Sequence, residues 1–567
     1  MRSLKTGRYL ATKYILAILS FLFVKEIGAT VITVTSTGDT IAVDGFVTLR
    51  EALTASNTDA MSGDAVAGSG VDTIEFNIPG VVGSIYTIQP SSALPAITDS
   101  VIINGYTQPG ATENTLVSGN NAFIAIEIDG TNAGASAGLQ IDAGNSTIQG
   151  LVINRFANEG ILITSLGSNL IRGNFIGTDS TGMLDNGNLS DGIAIQSSNN
   201  VIGGSTPGDK NLVSGNDGNG INISGNVTGN RILGNIIGVA ANGVASLPNS
   251  SSGIYISDAN TTTIGGLLAN NANLIAFNGQ TGILIDSSAG TGNLILGNSI
   301  HSNSLLGIDL DNDGVSLNDS LDSDTGPNNL QNFAVLSSAT TNEHGLIVKG
   351  TLSSTPSSAY RVEFFANTVA DASGYGEGQN YIGFIDVTTD ALGEASFVFQ
   401  SSTNQMVGTL ISSTVTDPNN NTSEFSASIS VSYLASIEDD DDYGDDDAIF
   451  SDDDYGIFPF PFAPPFAPVP PVPAATGAQL TEEESVAVVK EPNASLKQTK
   501  ADKSDVSSLE NAPAIENSHI DIRPKPRRQQ RNTEGSGCST VNGTDSTLSL
   551  FFVLAFAWLG IRKRRKA

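Results

Sequence analysis

The residues best suited to chemistry form an acidic run that begins at Asp309 and reads Asp-Leu-Asp-Asn-Asp-Gly. Its carboxylates stand at positions i, i+2 and i+4, and a glycine follows where a calcium-binding loop must turn sharply. Asp309, Asp311 and Asp313 are therefore candidate ligands for Ca²⁺. Such loops carry Glu at their twelfth position, which is Ser320 here, so a plain acidic turn remains an alternative. Three nearby carboxylates are available as the missing ligands: Asp319, Asp322 and Asp324.

A second group of carboxylates lies on or beside one loop of the central region. Inverting glycoside hydrolysis uses two carboxyl groups about 6.5–9.5 Å apart. If the protein is an enzyme, the first candidates are Asp179, Asp185, Asp191 and Arg172. The same residues also fit ordinary turns, and His301, the one histidine of this region, is expected at a surface turn. The sequence favours a protein without catalysis and leaves a polysaccharide lyase or glycoside hydrolase open.

Composition limits both the fold class and the partners. The chain has 567 residues, a formal net charge of −32 and only 15 % charged residues, so neutral polar side chains must cover most of the surface. Helix-forming residues are scarce while Ile, Val and Thr are common, which predicts an all-β protein. Nucleic acids and anionic membranes require basic patches, so the acidic balance argues against both as partners.

Short repeated phrases between residues 148 and 310 predict a solenoid. Gly-Ile-x-Ile or a close variant starts at six glycines: Gly160, Gly192, Gly220, Gly253, Gly282 and Gly307. Strands this short at this rhythm are typical of a right-handed parallel β-helix, whose inward aliphatic residues stack from coil to coil. The predicted inward pairs are Ile161 and Ile163, Ile193 and Ile195, Ile221 and Ile223, Ile254 and Ile256, and Ile283 and Ile285. Repeated asparagines should lie at the turns, where they can bond neighbouring backbone and form ladders.

The N-terminus has the pattern of a secretory signal peptide. Arg2, Lys5, Arg8 and Lys13 precede an apolar run from residue 14 to residue 24, and small residues follow it. Cleavage is predicted after Ala29.

The C-terminus combines a small motif containing Cys538, an apolar run at residues 548–561 and a basic cluster at residues 562–566. A permanent membrane span needs roughly 20 residues, so this run fits a processing signal better. A plain tail anchor is the alternative. The arrangement resembles the tripartite sorting signals of bacterial surface proteins, of the MYXO-CTERM and GlyGly-CTERM kind. That resemblance implies a processing protease of the membrane, and Cys538, the only cysteine in the chain, as the attachment point.

Residues 31–57 resemble the CSLREA domain that opens many bacterial surface β-helix proteins. Leu-Arg-Glu-Ala is intact at residues 49–52, whereas the Cys-Ser pair of that family is Val47-Thr48 here. A strand should lead into one short amphipathic helix, with Leu49 and Leu53 towards the core. This helix is expected to cap the open end of the solenoid, as terminal repeats must.

The repeats stop near residue 333, and five runs of alternating residues then predict a small antiparallel β-sandwich: 346–352, 360–367, 381–387, 395–400 and 410–416. Acidic blocks and a proline-rich stretch follow, which predict a disordered stalk. The predicted order is signal peptide, N-terminal cap, β-helix, β-sandwich, stalk and sorting signal, at residues 1–29, 30–60, 61–330, 333–433, 436–534 and 535–567.

Two functional hypotheses follow. The first is a secreted protein anchored at the cell surface that acts without catalysis in adhesion, binding extracellular polysaccharide or surface proteins. The second is a surface polysaccharide lyase or hydrolase on a scaffold resembling pectin lyase. A groove lined with carboxylates and one basic residue would favour the enzyme, whereas a face of Asn, Ser and Thr would favour the binding protein.

Overall fold

The computed structural model describes residues 28–268 and 270–433. Within them the chain forms one α-helix, Leu49–Thr58, and short 3₁₀ turns at Gly105–Thr107, Gly130–Asn132, Pro207–Asp209 and Pro327–Leu330. None of these helices combines the length and the apolar character that crossing a bilayer would require. The predicted stalk, the sorting signal with Cys538, and all but the last two residues of the predicted signal peptide lie outside the described residues.

Three parallel sheets, named A, B and C, run side by side along the solenoid, and from Val101–Asn104 onward successive strands belong to A, B and C in turn. Sheet A contains Val31–Val34, Asp72–Phe76, Val101–Asn104, Thr147–Gln149, Leu170–Arg172, Val201–Gly203, Arg231–Leu233, Thr263–Gly265 and Leu294–Leu296. Sheet B contains Tyr86–Ile88, Ile126–Asp129, Leu151–Asn154, Phe175–Ile176, Leu212–Val213, Ile236–Ile237, Leu274–Ala276 and Ser299–His301. Sheet C contains Leu139–Ile141, Ile161–Ile163, Ile193–Ile195, Ile221–Ile223, Ile254–Ile256, Ile283–Ile285 and Ile308–Leu310.

The predicted parallel β-helix is confirmed, and its register is the one the repeats imply. In sheet C, Ile161 pairs with Ile193, which pairs with Ile221, and the row continues to Ile254 and Ile283. All ten predicted inward isoleucines are fully buried. Fully burying an aliphatic side chain of this size contributes about 1.5–3 kcal/mol, so these rows form a large part of the solenoid core.

Buried asparagines form ladders between the sheets, as predicted. Each side-chain oxygen accepts from the side-chain amide of the asparagine one coil earlier, and in all steps but Asn211–Asn235 and Asn249–Asn278 from its backbone N–H as well. The ladders run through Asn169, Asn200 and Asn230; through Asn174, Asn211, Asn235, Asn273 and Asn298; and through Asn188, Asn216, Asn249, Asn278 and Asn303. They satisfy turn N–H groups that would otherwise be buried without acceptors.

The helix Leu49–Thr58 covers the start of the solenoid, next to the first two strands of sheet A. Leu49 and Leu53 are buried in the solenoid core, as predicted. Thr48 and Glu51 form a capping box, in which each side chain accepts from the backbone N–H of the other residue. Arg50 pairs with Asp39 at 2.9 Å and also donates to the backbone carbonyls of residues 92 and 93.

The sandwich after the solenoid contains Val335–Asn342, Gly345–Ser353, Ala359–Asn367, Asn380–Thr388, Glu394–Ser401, Leu410–Thr416 and Ile429–Tyr433. The five predicted strands are present with bounds that differ by at most one residue at each end. The strands pair antiparallel as predicted, with one exception: Val335–Asn342 and Ile429–Tyr433 pair in parallel. These are the two strands that the alternation pattern did not identify. Ile429–Tyr433 also pairs with Leu410–Thr416 and so joins the two halves of the sandwich.

The sandwich also covers the last coil, with one buried glutamate at the end of each solenoid sheet. Next to sheet A, Glu363 accepts from the N–H of Gly297 at 2.9 Å. Beyond sheet B, Glu377 accepts from the N–H groups of Ser302 and Asn303 at 2.8 and 3.2 Å. On sheet C, Glu424 accepts from those of Leu310 and Ser316 at 2.9 and 3.0 Å. Edge N–H groups that no further coil can pair thus receive carboxylate acceptors.

Candidate functional site

The predicted calcium loop joins the last strand of sheet C to the sandwich. Asp309 is 5 % exposed, whereas Asp313 is exposed. Burial and the nearby charge of Asp313 raise the pKa of Asp309 to about 6, against the lowering effect of backbone N–H donors from residues 312–314. Its Oδ1 has no hydrogen-bond partner among the described residues. A cation would supply the missing partner, so this carboxylate fits a metal ligand.

The carboxylates that the structure gathers most closely are the three that the sequence offered as additional ligands. One oxygen from each of Asp319, Asp322 and Asp324 lies within 4.8 Å of the other two. Asp322 accepts from Ser354 Oγ at 2.7 Å, and Asp324 Oδ1 is buried without a partner in the described ranges. Burial is the largest cause that raises the pKa of both Asp322 and Asp324. Oxygen-only groups of this kind suit Ca²⁺.

The candidate catalytic residues are distributed over three parts of the coil. Arg172 ends a strand of sheet A, where it donates to Asp209 Oδ1 at 2.7 Å and to Gln149 Oε1 at 2.8 Å. Asp179 and Asp185 belong to the loop after sheet B, and Asp191 precedes a strand of sheet C. Each of the three aspartates has its own hydrogen-bond partners, and none of them lines the cleft described below.

The local bonds of the three aspartates explain why these residue types occur there. Asp179 Oδ1 accepts from the N–H groups of Met183 and Leu184 at 3.0 Å each, which closes the loop. Asp185 accepts from the N–H of Gly187 at 3.0 Å. Asp191 is bonded to the next coil, through Asn219 and Asn222. The equivalent loop one repeat later closes between Val239 and Ser246 without an aspartate at either bridge position.

A cleft of about 340 Å³ opens on the outer face of sheet B near the C-terminal end of the solenoid. Over earlier coils this face is covered by loops, which pack onto Phe175, Leu212 and Ile236. The loops that cover sheet B end at Val117–Gly119 and Gly243. Farther along, Gln379 and Asn380 of the sandwich cover the sheet instead. Ile236, Leu274, Ser299 and His301 line the gap between them. The cleft therefore has aliphatic residues from sheet B and polar residues from the flanking loops.

Lys210 is the main charged group of the cleft. It follows the 3₁₀ turn Pro207–Asp209 and is only 7 % exposed. Its Nζ donates to the carbonyl of Val117, which also lines the cleft. Burial lowers its pKa. The remaining lining side chains in the described ranges are amides, hydroxyls and aliphatic groups beside His301, and none is a carboxylate.

His301 differs from its prediction as a surface turn residue, because it ends the last strand of sheet B and is half-buried in the cleft. Its ring packs edge-on against Phe277, with 5.8 Å between ring centroids. Nδ1 lies 3.1 Å from Ser302 Oγ. Burial lowers the pKa of the imidazole, which favours its neutral form at neutral pH.

The sequence did not predict this cleft. Lys210, His301 and Gln379 are separated by 91 and 78 positions in the sequence (301 − 210 and 379 − 301), and they meet only because coils stack and the sandwich folds back. One signal was available: Lys210 is one of very few basic residues in the repeats, and it directly precedes a ladder asparagine.

Comparison with known proteins yields no family model and no curated protein that matches this chain. Among solved structures, a mutant of the periplasmic alginate epimerase AlgG aligns with a TM-score of 0.24 and 14 % identity, over 42 % of this chain and 62 % of that one. The chain thus spans less than two thirds of the epimerase. The tailspike protein gp49 of Acinetobacter baumannii bacteriophage Fri1, a capsular polysaccharide depolymerase, aligns with a TM-score of 0.14 and 10 % identity, over 65 % and 73 %. The strand pairing of the chain itself shows the parallel β-helix.

Proposed function

We propose that this chain is a secreted, surface-anchored β-helix protein that binds glycans without catalysis, through the cleft on sheet B. The observation that carries the proposal is the chemistry of the cleft: amide and hydroxyl groups surround an aliphatic floor, and its described lining residues contain no carboxylate. Sugars present hydroxyls that both donate and accept, which side-chain amides match, and C–H faces that pack on aliphatic groups.

Hydrolysis finds little support in this geometry. Most glycosidases need two carboxyl groups on either side of the scissile bond, and the cleft offers none among the residues described. Asp179, Asp185 and Asp191 bond to their own loop or to the adjacent coil.

A polysaccharide lyase is the second candidate, because the cleft combines a histidine whose lowered pKa favours the neutral form with the cationic Lys210. A neutral imidazole can accept a proton from carbon, and a nearby cation can stabilise the negative charge that develops.

Secretion and anchoring are proposed from the termini. A signal peptide cleaved after Ala29 and a tail processed at Cys538 by a membrane protease would place the solenoid outside the cell. The acidic stalk at residues 436–534 would hold it away from the surface.

Ca²⁺ is proposed as a structural ion at the junction of solenoid and sandwich. Asp309, Asp311 and Asp313 remain the ligands predicted from sequence, and Asp309 Oδ1 is buried without a partner within the described ranges. Asp319, Asp322 and Asp324 offer the closest group of oxygens.

The test is a binding and turnover screen of the purified full-length protein against a polysaccharide panel, with and without Ca²⁺. Retention on immobilised glycan without release of unsaturated or reducing ends is the expected result. Asn270→Ala with Asn380→Ala, two changes in the cleft, should weaken retention, whereas Gln280→Ala, an exposed amide that does not line the cleft, should not. Release of unsaturated ends would establish the lyase instead. Absence of both binding and turnover would overturn the proposal.

A further inference from the structure

The cleft holds the one deeply buried cation of the described solenoid that has no carboxylate beside it. Arg50 pairs with Asp39 at 2.9 Å, Arg155 with Asp129 at 3.0 Å and Arg172 with Asp209 at 2.7 Å. Lys210 is 7 % exposed, and no described carboxylate lies within ion-pair distance of its Nζ. The cation with the least access to water is thus the one without a counter-charge.

An isolated buried ammonium is unfavourable because it loses hydration without gaining a counter-ion. The Lys210 ammonium has three N–H donors, and the carbonyl of Val117 is its hydrogen-bond acceptor among the described residues. A carbonyl satisfies one donor but does not neutralise the charge. The position is suited to an acceptor that arrives with the ligand and carries negative charge.

The other polar groups of the cleft are compatible with an anion. Ser118, Asn270 and Asn380 supply hydroxyl and amide donors, and His301 adds a ring nitrogen at the far end of sheet B. A carboxylate in the cleft would repel an anionic ligand, and none is present among the lining residues that the structure describes. Because the whole chain has a net charge of −32, a cleft whose described lining contains a lysine and no carboxylate is unusual for this molecule.

We propose that the cleft recognises an acidic sugar residue, whose carboxylate or sulfate group pairs with Lys210 while the ring hydroxyls bond the surrounding amides. This inference rests on the proposed glycan binding and names the class of glycan. The acidic surface elsewhere repels polyanions, so an acidic glycan would be held at this cleft and excluded from most other faces.

The experiment uses pairs of polymers that differ only in charge. Full-length protein is applied to immobilised polygalacturonate and to the same polymer with its carboxyl groups reduced to alcohols. A second pair, dextran sulfate and dextran, separates carboxylate from sulfate recognition. A charge-assisted hydrogen bond corresponds to about ten- to one-hundred-fold in affinity, so retention of at least one acidic polymer should exceed that of its neutral partner by this factor.

Variants locate the effect. Lys210→Met keeps the length of the side chain and removes the charge, so it should abolish the preference for the acidic polymer. His301→Gln should weaken binding of both members of a pair and serves as a second test if Lys210→Met does not fold. Arg231→Gln removes an exposed cation that does not line the cleft and should leave the preference unchanged. Melting curves and circular dichroism of each variant check folding.

The outcomes separate this inference from the proposal on which it depends. Equal retention of acidic and neutral polymers would overturn the acidic-sugar inference and leave glycan binding intact. A preference that survives Lys210→Met but is lost in Arg231→Gln would place anion binding elsewhere and also overturn the inference. Retention of neither class would overturn both proposals.

Discussion

The two ends of the solenoid are closed by different chemistry. At the N-terminal end, the helix Leu49–Thr58 places buried leucines on the core, and its polar residues are paired locally through Glu51 and Arg50. At the C-terminal end, the sandwich presents Glu363, Glu377 and Glu424 to backbone N–H groups of the last coil. Both closures bury apolar side chains, Phe365 and Phe425 at the C-terminal end, and the C-terminal closure adds three buried glutamates that accept from backbone N–H groups of the last coil.

This difference predicts different responses to pH. Burial raises the pKa of Glu363 to about 7 and that of Glu424 to about 8, from an ordinary value of 4.5, and raises that of Glu377 as well. The folded state therefore binds these protons more tightly than the unfolded state. Stability contributed by this end is greatest below about pH 4.5 and falls as the pH rises through the folded values.

The largest effect is expected from Leu53→Ala, which removes a fully buried side chain of the helical cap. Large-to-small changes at such positions destabilise by about 2–5 kcal/mol. The loss should be the same at about pH 5 and about pH 8, because no titrating group changes. Denaturant unfolding followed by circular dichroism measures it, with the exposed Thr58→Ala as control. A loss that varies strongly with pH would contradict the apolar closure.

Glu424→Gln should change how stability depends on pH at the other end. Wild-type protein should lose on the order of a few kcal/mol between about pH 5 and about pH 8, since each pKa unit corresponds to about 1.4 kcal/mol. The variant cannot ionise, so its unfolding free energy should vary less over this range. At low pH the wild-type carboxyl group is also neutral, but its hydroxyl oxygen can still accept a hydrogen bond whereas an amide nitrogen cannot, so the variant should be less stable by about 1–3 kcal/mol.

Glu363→Gln should flatten the same pH profile by a smaller amount, because its pKa is raised less. Thermal melts across the pH range give the comparison, and Glu394→Gln, an exposed glutamate on the sandwich, is the matched control. Identical profiles for wild type and both buried variants would exclude the glutamates as the source of pH dependence.

Arg50→Lys tests the polar part of the N-terminal closure. Lysine keeps the charge but loses the planar fork that contacts Asp39 and the carbonyls of residues 92 and 93. A loss of about 1–2 kcal/mol is expected in the same denaturant assay. Arg231→Lys, at an exposed position, should be neutral.

The smallest effect is expected from Ca²⁺, and it should act at the C-terminal end only. When the Ca²⁺ concentration is about ten times the dissociation constant of the site, binding stabilises the folded state by roughly 1.4 kcal/mol. A thermal shift assay detects a change of this size. Asp322→Asn should remove the shift if the ion binds the Asp319–Asp324 group, and Asp309→Asn should remove it if the predicted loop holds the ion. A shift retained in both variants would place the ion elsewhere, and Mg²⁺ at equal concentration controls for ionic strength.

The solenoid could be predicted from sequence because its information is local and repeated. Ile161, Ile193 and Ile221 share a phrase, so one inward position fixes the next, and the ladder asparagines follow the same rule. The helical cap was also predictable, since Leu49 and Leu53 lie one helical turn apart.

The C-terminal closure and the cleft could not be predicted in this way. Glu424 accepts from Leu310, 114 residues earlier in the chain, and Glu377 accepts from Ser302, 75 residues earlier. No periodicity links such partners, and a buried glutamate in a strand has no local signature. Lys210 and His301 likewise meet only through stacking, whereas the Asp179–Asp191 loop is visible as a local group of carboxylates in the sequence.

The glutamates on the last coil have a consequence for assembly. A β-helix that ended in bare strand edges would template a second copy, and copies stacked end to end would grow into filaments. By occupying N–H groups beside all three sheets, the sandwich removes the template at that end. Displacing the sandwich from the last coil would therefore expose a self-complementary edge, and the protein would risk polymerising along its own axis.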